Sequence, residues 1–282
     1  MAETAFQKQY RQEMISSFEQ LQSLVRDSVT TEAVIKGNQA EMLVAGSGGA
    51  TAVTRGVNGL IPSRADDNTQ TTITLVEWHD LVRKTGFNIF ASQGNQRALM
   101  QKTTMGVINR KIDSDIITEL NTGTVNTGSA VTASLALVLK SKTILQNADV
   151  PWDTNISALI TPAFEAYLLQ IAAFASADYV DMKPMEGGNG WTDKPKVRRW
   201  LDVNWIVHPN LPGKGTNAEK CFMYHKSAIS HAANTGGMMS AVGYDDEQDY
   251  SYARCSMFMG SQILQNSGVV VMNHDGSAYV AS

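Results

Sequence analysis

The stretch AEMLVAGSGGATAVTRGVNGLIPSRADDNTQTTITLVEWHDLV, residues 40–82, decides how this chain is organised. Its part TTITLVEW, residues 71–78, has strong strand propensity, with Ile73 and Leu75 on one face. AEMLVAG, residues 40–46, is the candidate partner strand, but more than twenty residues rich in Gly, Ser, Thr and Asn separate the two. Loops of that length inside compact domains are usually functional or disordered. We therefore predict an extended β-excursion that another subunit stabilises.

Farther along, the stretch RKIDSDIITEL, residues 110–120, closes the longest helical pattern of the chain. The pattern starts at Ala91, and the Asn and repeated Gly of residues 121–129 are typical of a helix end. It predicts one helix far longer than the mean of about eleven to twelve residues. The apolar stripe of this helix comprises Met105, Ile108, Ile112, Ile116 and Leu120.

The acidic residues of this helix are the first candidates for a metal or catalytic site. Asp113 and Asp115 would point about 200° apart on a helix, so they cannot share a ligand. Asp115 and Glu119 share a face, but Lys111 lies four residues before Asp115, so a solvated ladder of ion pairs explains the same residues. We predict a solvated polar face.

The N-terminal segment, residues 5–29, has one narrow apolar stripe among Gln, Lys, Arg and Glu. An unbroken helix of this length would span roughly 36 Å. It precedes a segment punctuated by glycine, which favours an arm that packs on a neighbouring subunit. An ordinary helix that packs on its own core explains the pattern equally well, so both interpretations stay open.

The remaining chain alternates between helical and strand patterns, which favours a mixed α/β core for residues 130–250. We predict a helix at 134–148, and a buried strand followed by a Thr161-Pro162 helix start within 156–175. Next we predict a strand at 197–213 closed by a Pro-Gly turn, and a strand that becomes a helix at 221–233. The last elements are two strands within 251–278 joined at 266–268.

Composition excludes several functional classes. The net charge is −4 and the pI about 5.7, whereas a protein that binds nucleic acid by neutralising phosphates carries a basic excess. The longest apolar run, residues 166–177, is too short to span a membrane, and the first residues lack the apolar core of a signal peptide. Two cysteines do not make a disulfide framework, so we expect a reducing, intracellular origin. Charged residues make up 18% of the chain, below the usual value of about 25%, which suggests that much of the surface faces other protein.

No pattern of catalytic, cofactor-binding or metal-binding residues is present. The five histidines include no pair with the spacing of a helical zinc site, and Cys221 and His225 lie on a predicted strand that would hold them about 13 Å apart. The glycine-rich pieces at 46–51 and 212–216 lack the spacing of phosphate-binding loops. The acidic cluster DDEQD, residues 245–249, has no EF-hand spacing, and we interpret it as a solvated loop.

The order and lengths of these elements resemble the major capsid (coat) proteins of tailed bacteriophages with the Hong Kong 97-type fold. The resemblance covers nearly the whole chain. It is carried by the arm YRQEMISSFEQLQSLVRD, by the Gly/Thr-rich excursion that ends in TTITLVEWHDLV and GFNIF, and by the helix that closes in INRKIDSDIITEL. WLDVNWIVHPNLPG and SMFMGSQILQNSGVVVMNHDG continue the same layout.

This resemblance implies an α+β fold with five parts. An N-terminal arm would comprise residues 1–36 and an extended loop residues 37–88. A peripheral domain would combine the spine helix, residues 89–125, with the C-terminal strands, residues 251–282. The axial domain, residues 126–250, would face the symmetry axes of pentamers and hexamers.

The implied function is a structural major capsid protein that self-assembles into pentamers and hexamers. These would form an icosahedral shell around double-stranded phage DNA, without sequence-specific binding. Portal and scaffolding proteins are the expected further partners. The expected location is the virion, after synthesis in the cytoplasm of the bacterial host. No enzymatic activity, cofactor or membrane association is expected.

Two alternatives stay open: a nanocompartment shell of the encapsulin type, which would enclose an enzyme cargo, and a soluble α/β enzyme whose site is built from residues distant in sequence. For the capsid, we predict that the extended loop makes contacts between subunits. The predicted contact residues are Arg55, Arg64, Asp66, Asp67, Leu75, Val76 and Trp78.

Overall fold

The computed structural model describes residues 20–34, 36–91, 95–175 and 198–279. These residues divide into two compact units. The first unit contains the described parts of Met1–Ser23, Glu77–Ile112 and Gly236–Phe258, and the second contains those of Leu24–Val76, Asp113–Thr235 and Met259–Ser282.

The described residues form a mixed α+β structure of twelve strands and five α-helices. The strands are β1 Thr30–Val34, β2 Gln39–Gly46, β3 Asp67–Thr74, β4 Val76–Thr85, β5 Ile156–Ile160, β6 Arg198–Trp200, β7 Val203–Val207, β8 Glu219–His225, β9 Ile229–Asn234, β10 Met239–Asp245, β11 Tyr250–Ile263 and β12 Val269–His274. The helices are α1 Gly86–Ala91, α2 Gln96–Leu120, α3 Leu135–Asn147, α4 Pro162–Leu168 and α5 Ala172–Ala175.

The core of the second unit is a five-stranded sheet in the order β12-β8-β5-β7-β6. Strand β5 runs parallel to β7 and antiparallel to β8, and all five of its residues are buried. The apolar run of β5 has no alternation because both faces of the strand are covered. After β5, the Thr161 side chain accepts a hydrogen bond from the Phe164 amide, and Pro162 begins α4. The predicted strand and helix start are therefore confirmed.

Helix α3 confirms the prediction for residues 134–148. The Ser134 hydroxyl accepts a hydrogen bond from the Leu137 amide and caps the first turn. Leu137, Val138 and Leu145 are buried on one face, in the spacing of an amphipathic helix. The start of α3 therefore follows from local sequence.

The second five-stranded sheet contains β1, β9, β11, β10 and β4. In the second unit, β1 pairs in parallel with β9, and the end of β11 pairs antiparallel with β9. In the first unit, the start of β11 pairs antiparallel with β10, and β4 also pairs with β11.

The predicted helix at the end of 221–233 is wrong. The chain continues from β8 through a short 3-10 turn, Lys226–Ala228, into the strand β9. Its backbone groups bond to β1 on one side and to β11 on the other, so pairing with distant strands decides the conformation of these residues. The predicted strand for most of the same stretch, β8, is confirmed.

Two strand predictions are confirmed with a different arrangement. Residues 197–213 contain the two strands β6 and β7 rather than one, joined at Leu201 and Asp202, whose φ values are 53° and 63°. Two consecutive positive φ values are typical of the type I′ turn. Strands β11 and β12 flank residues 266–268 as predicted but lie in different sheets, so these residues are a crossing rather than a hairpin.

The long helix α2 is confirmed but begins at Gln96 rather than at Ala91. The Asn95 side chain accepts a hydrogen bond from the Ala98 amide, which is the geometry of a helix cap. Four of the five predicted stripe residues are buried, and Met105 is the exposed exception. The prediction of a solvated face is wrong for Asp113, which is only 1% exposed.

The predicted helix over residues 5–29 lies mostly outside the described residues. Its described end contains only a 3-10 turn, Arg26–Ser28, so the prediction is wrong for residues 20–29. Side chains of α2 bond to the backbone there: Asn109 Nδ2 donates to the Leu21 carbonyl at 2.8 Å and Arg110 Nη1 to the Gln20 carbonyl at 3.2 Å. These bonds replace the backbone ladder that a helix would need.

Candidate assembly surfaces

The extended loop is a two-stranded ribbon of β2 and β3 with a long connection, residues 47–66. The strands pair antiparallel from Gln39↔Thr74 to Gly46↔Asp67, so the predicted partnership of 40–46 with the following strand is confirmed. The predicted strand at 71–78 is interrupted at Leu75, whose amide donates to the Asn38 carbonyl at 2.7 Å. Among the described residues, neither strand of the ribbon pairs with a third strand.

The base of the ribbon is packed into the second unit. Ala40 and Ile73 face each other across the ribbon and form a small core with Ala232 of β9. Gly260 of β11 lies against this base: a Cβ at that position would be 2.3 Å from the carbonyl oxygen of Thr74. A side chain is therefore excluded at Gly260 by the close approach of the two backbones.

The far part of the loop exposes apolar side chains. The Gly56 amide donates to the Leu60 carbonyl at 2.9 Å, which closes a turn, and Val57 in that turn is fully exposed. The backbone therefore has local hydrogen bonds, but the apolar side chains bury little. The exposed apolar residues of the ribbon and its connection are Leu43, Val53, Val57, Leu60 and Ile61.

The four charged residues predicted as contacts are all exposed and lie in two places. Arg64 Nη2 lies 3.5 Å from Asp66 Oδ1, and Arg64 Nη1 donates to the Ser47 carbonyl, so both residues are at the neck of the connection. Asp67 also lies there, since it begins β3 and its side chain faces Gly48. Arg55 lies beside the turn that carries Val57.

The three apolar residues predicted as contacts differ in exposure. Val76 is 49% exposed, whereas Leu75 is half-buried against the Ala40–Ile73–Ala232 core. Trp78 is half-buried in the first unit, with the Lys111 ammonium 3.7 Å from its ring centroid. This distance is that of a cation–π contact. Among the predicted apolar contacts, Val76 is thus the most available to a second chain.

Sequence reasoning missed the role of Asp113 as an anchor for the backbone of residues 24 and 25. Asp113 Oδ2 accepts from the Leu24 amide at 2.9 Å, and Oδ1 from the Val25 amide at 3.3 Å. His208 Nε2 lies 3.4 Å from Oδ2, and His208 Nδ1 accepts from the Asn210 amide. Nothing in the spacing of residues 110–120 indicates these partners. They come from distant parts of the chain.

A second buried polar chain links β9, β11 and α2 within the second unit. Ser261 Oγ donates to Asp115 Oδ2 at 2.9 Å, and His231 Nδ1 lies 2.9 Å from Ser261 Oγ. Because the Ser261 hydroxyl hydrogen is used in the bond to Asp115, His231 Nδ1 carries a proton and donates to Ser261 Oγ. Burial, reinforced by the charge of Arg26, lowers the pKa of His231 from 6.5 to about 4, although Asp113 opposes this. The imidazole is therefore neutral at pH 7.

A third buried cluster surrounds Glu219. Its Oε2 accepts from Thr161 Oγ1 at 2.6 Å and its Oε1 from the Gly215 amide at 2.7 Å, while His274 Nε2 lies 3.8 Å from Oε2. Burial lowers the pKa of His274 and raises that of the nearby Cys221 thiol to about 12. The thiol therefore stays protonated and unreactive. The hydrogen bond between Thr161 and Glu219 connects the end of β5 to the start of β8.

One arrangement resembles a hydrolase triad but has a structural explanation. His225 Nδ1 lies 2.7 Å from Ser227 Oγ, and His225 Nε2 lies 3.1 Å from Asp153 Oδ1. The Ser227 amide also donates to His225 Nδ1, so the imidazole caps the 3-10 turn that follows β8. The adjacent cavity of about 70 Å³ is small beside ligand pockets, which measure roughly 300–1,000 Å³.

Within the described residues, no group of three or more His, Cys, Asp or Glu side chains is placed to hold a metal ion. This includes the acidic cluster at 245–249, which forms the turn between β10 and β11. In the described part of the chain, no helix has the length and apolar character needed to cross a membrane.

Comparison with known proteins relates this chain to viral shells. A family model described as phage capsid protein matches residues 2–276. Among solved structures, a chain of Mycobacterium phage Che8 has a TM-score of 0.71 at 15% identity, and the match covers 96% of this chain and 98% of the Che8 chain. The capsid of the native GTA particle has a TM-score of 0.69 at 11% identity, with 96% of each chain covered. The capsid of Ralstonia phage GP4 has a TM-score of 0.66 at 10% identity, covering 99% of this chain and 98% of its own.

These structural likenesses show the fold, and the predicted Hong Kong 97-type architecture is confirmed. No curated protein matches the sequence.

Proposed function

Because the chain belongs to the phage capsid protein family, we propose that its subunits join as pentamers and hexamers in an icosahedral shell around double-stranded phage DNA. Family membership makes it a structural major capsid protein of a bacteriophage virion. The observation that carries the finer proposal is the extended loop: its ribbon and connection expose five large apolar side chains, and within the described residues neither strand of the ribbon pairs with a third strand.

Physical reasoning supports a partner for this loop in the assembled state. An isolated two-stranded ribbon is marginally stable in water, and exposed edges and apolar patches are surfaces that favour association. Ala40 and Ile73 fix the base of the ribbon in a small core, whereas the large apolar side chains of its connection are exposed. A symmetric shell repeats each such contact many times, so that weak contacts act together.

The parts of the chain would have separate roles in this shell. Residues 1–36 would be the arm, 37–88 the extended loop, 89–125 with 251–282 the peripheral domain, and 126–250 the axial domain around the symmetry axes. The predicted contact residues Arg55, Arg64, Asp66, Asp67, Leu75, Val76 and Trp78 remain the candidates for contacts between subunits. The exposure of Arg55 and Val76 supports a role for these two.

Further partners follow from the same proposal. A portal and a scaffolding protein would take part in assembly, and the shell would enclose DNA without reading its sequence. The net charge of −4 supports enclosure rather than tight binding. Subunits would be made in the cytoplasm of the bacterial host. The match to a phage capsid family favours a genome over the enzyme cargo of a nanocompartment, and favours a structural role over catalysis.

Light scattering after size-exclusion chromatography, with negative-stain imaging of the peak, tests this proposal. The chain should be expressed alone and together with the structural genes that neighbour it. Closed shells, or rings of five and six subunits, are the expected result. A monomer under both conditions would contradict the proposal, and an enzymatic screen of the monomer would then be the next experiment.

A further inference from the structure

Within the first unit, two side chains of α2 hold residues 20–23, which we call the strap. Asn109 Nδ2 donates to the Leu21 carbonyl at 2.8 Å, and Arg110 Nη1 donates to the Gln20 carbonyl at 3.2 Å. The strap is neither helix nor strand, so its carbonyl groups depend on partners of this kind. Every residue has a main-chain carbonyl, so these two bonds hold the strap without reading its side chains.

Gly106 lets the strap approach α2 closely. It precedes Asn109 by three residues and Arg110 by four, so all three lie on one face of the helix. A Cβ at Gly106 would lie 3.0 Å from Leu21 Cδ2 and 3.7 Å from Leu21 Cα. Glycine inside a helix is less stable than alanine, and the packing of the strap accounts for glycine at this position.

The next two residues along the chain are held more firmly. Within the second unit, the Asp113 carboxylate accepts from the amides of Leu24 and Val25, and Asp113 and Val25 are both buried. Hydrogen bonds to a buried carboxylate are among the stronger ones in proteins. Asn109 and Arg110 are only half-buried, so water competes for their bonds to the strap. The strap therefore opens more readily than the anchor at Asp113.

We propose that the strap is a latch, which is closed on α2 in the free subunit and opens during assembly while Leu24 and Val25 stay bound to Asp113. This rests on the proposed function and adds a conformational step to it. Opening uncovers the face of α2 that carries Gly106. It also releases from this contact the residues before Gln20, where the arm is predicted.

The cost of opening fits a step that assembly has to drive. Local openings that break few buried contacts have the lowest free energies within a protein. Opening the strap breaks the two bonds from half-buried side chains and leaves the buried anchor intact. Contacts with a neighbouring subunit can therefore replace the strap without unfolding the rest of the chain.

A reversible disulfide tests whether the strap has to open. One chain carries both Leu21→Cys and Gly106→Cys. A Cβ at Gly106 would lie 3.7 Å from Leu21 Cα, which suits the separation of about 3.5–4.5 Å between the Cβ atoms of a disulfide. Intact mass and thiol titration report its formation. The native Cys221 and Cys255 are buried and should react little.

Light scattering follows the assembly of this double variant before and after reduction. The oxidised chain should assemble at least about tenfold more slowly than the same chain reduced, because the lock removes the open state. Leu21→Cys alone is the control and should assemble at one rate under both conditions. Equal rates for the locked and the reduced chain would overturn the proposal. Absence of shells from the wild-type chain would instead contradict the proposed function.

Hydrogen exchange of the free subunit tests the latch independently of assembly. Asn109→Asp places a carboxylate against the Leu21 carbonyl oxygen. Residues 20–23 should then exchange at least about fivefold faster, whereas residues 24–29 should keep the wild-type rate. Asn147→Asp, at an exposed position of α3, is the matched control and should change neither segment. Faster exchange in both segments, or in neither, would contradict a strap that opens separately from the anchor.

Discussion

The carboxylate of Asp113 on α2 holds the backbone of Leu24, with Oδ2 2.9 Å from the Leu24 amide nitrogen. The two residues are 89 positions apart in the chain, and Asp113 is 1% exposed. A buried carboxylate that accepts backbone N–H groups is among the stronger hydrogen-bonding arrangements in proteins. This contact connects the backbone at Leu24 to the long helix.

Asp113→Asn should lower the free energy of unfolding by about 2–4 kcal/mol, because the amide presents N–H groups to donors and leaves them unpaired in a buried site. Urea unfolding measures the loss. Glu119→Gln is the matched control on the same helix, where burial and Asp115 raise the pKa of the carboxyl. Its neutralisation should cost nothing, and equal losses for the two variants would contradict the anchor.

Gly260→Ala should displace the base of the extended loop. The added methyl group would lie 2.3 Å from the Thr74 carbonyl oxygen, so one of the two strands must shift, at a cost of about 1–3 kcal/mol. The change should be seen as a lower urea midpoint and faster proteolysis within residues 40–74. Gly56→Ala adds the same group where the nearest atom is 3.6 Å away and should behave like the wild type.

Acidification should destabilise the fold through His231. Its pKa in the folded state is about 4, below the ordinary 6.5, so the unfolded state binds more protons between these values. The contribution of neutral His231 to the free energy of unfolding is fully present above pH 6.5 and is lost as the pH falls towards 4. The total loss is about 3 kcal/mol. The lowered pKa of His274 acts in the same direction.

Urea unfolding of the wild type and of His231→Gln across pH 7 to 4 measures this effect. The variant keeps a donor for Ser261 but cannot titrate, so its stability should depend less on pH. His79→Gln, at an exposed histidine, is the matched control for the loss of an imidazole. Parallel curves for wild type and His231→Gln would exclude His231 as the cause.

Replacing residues 47–66 by Asn-Gly should leave a folded subunit that does not assemble. The last pair of the ribbon is Gly46↔Asp67, and Asn-Gly forms the two-residue turn that such a hairpin needs. Circular dichroism should show an unchanged thermal midpoint, whereas light scattering should show no particles. Normal shells from this variant would show that the loop is dispensable for assembly.

How far the sequence predicts this fold depends on the range of the interactions involved. Thr161-Pro162 and Ser134 mark helix starts because capping acts over three residues. The partnership of residues 40–46 with β3 was predictable because each strand has strand-forming composition and a bounded length. By contrast, the helix predicted at the end of 221–233 is wrong, because β9 is paired on both sides by distant strands.

By itself the sequence determined the long helix and the extended loop, and the order of its elements resembles one known fold family. The helix and the loop follow from periodicity and turn residues, which are local properties of a chain. Only the tertiary structure decided that Asp113 is a buried anchor rather than a solvated charge, and that β11 and β12 enter different sheets. It also decided that the backbone of Thr74 approaches Gly260 too closely for a side chain there. Each of these depends on which distant backbone groups approach, and hydrogen bonding and close packing select them only after the chain has folded.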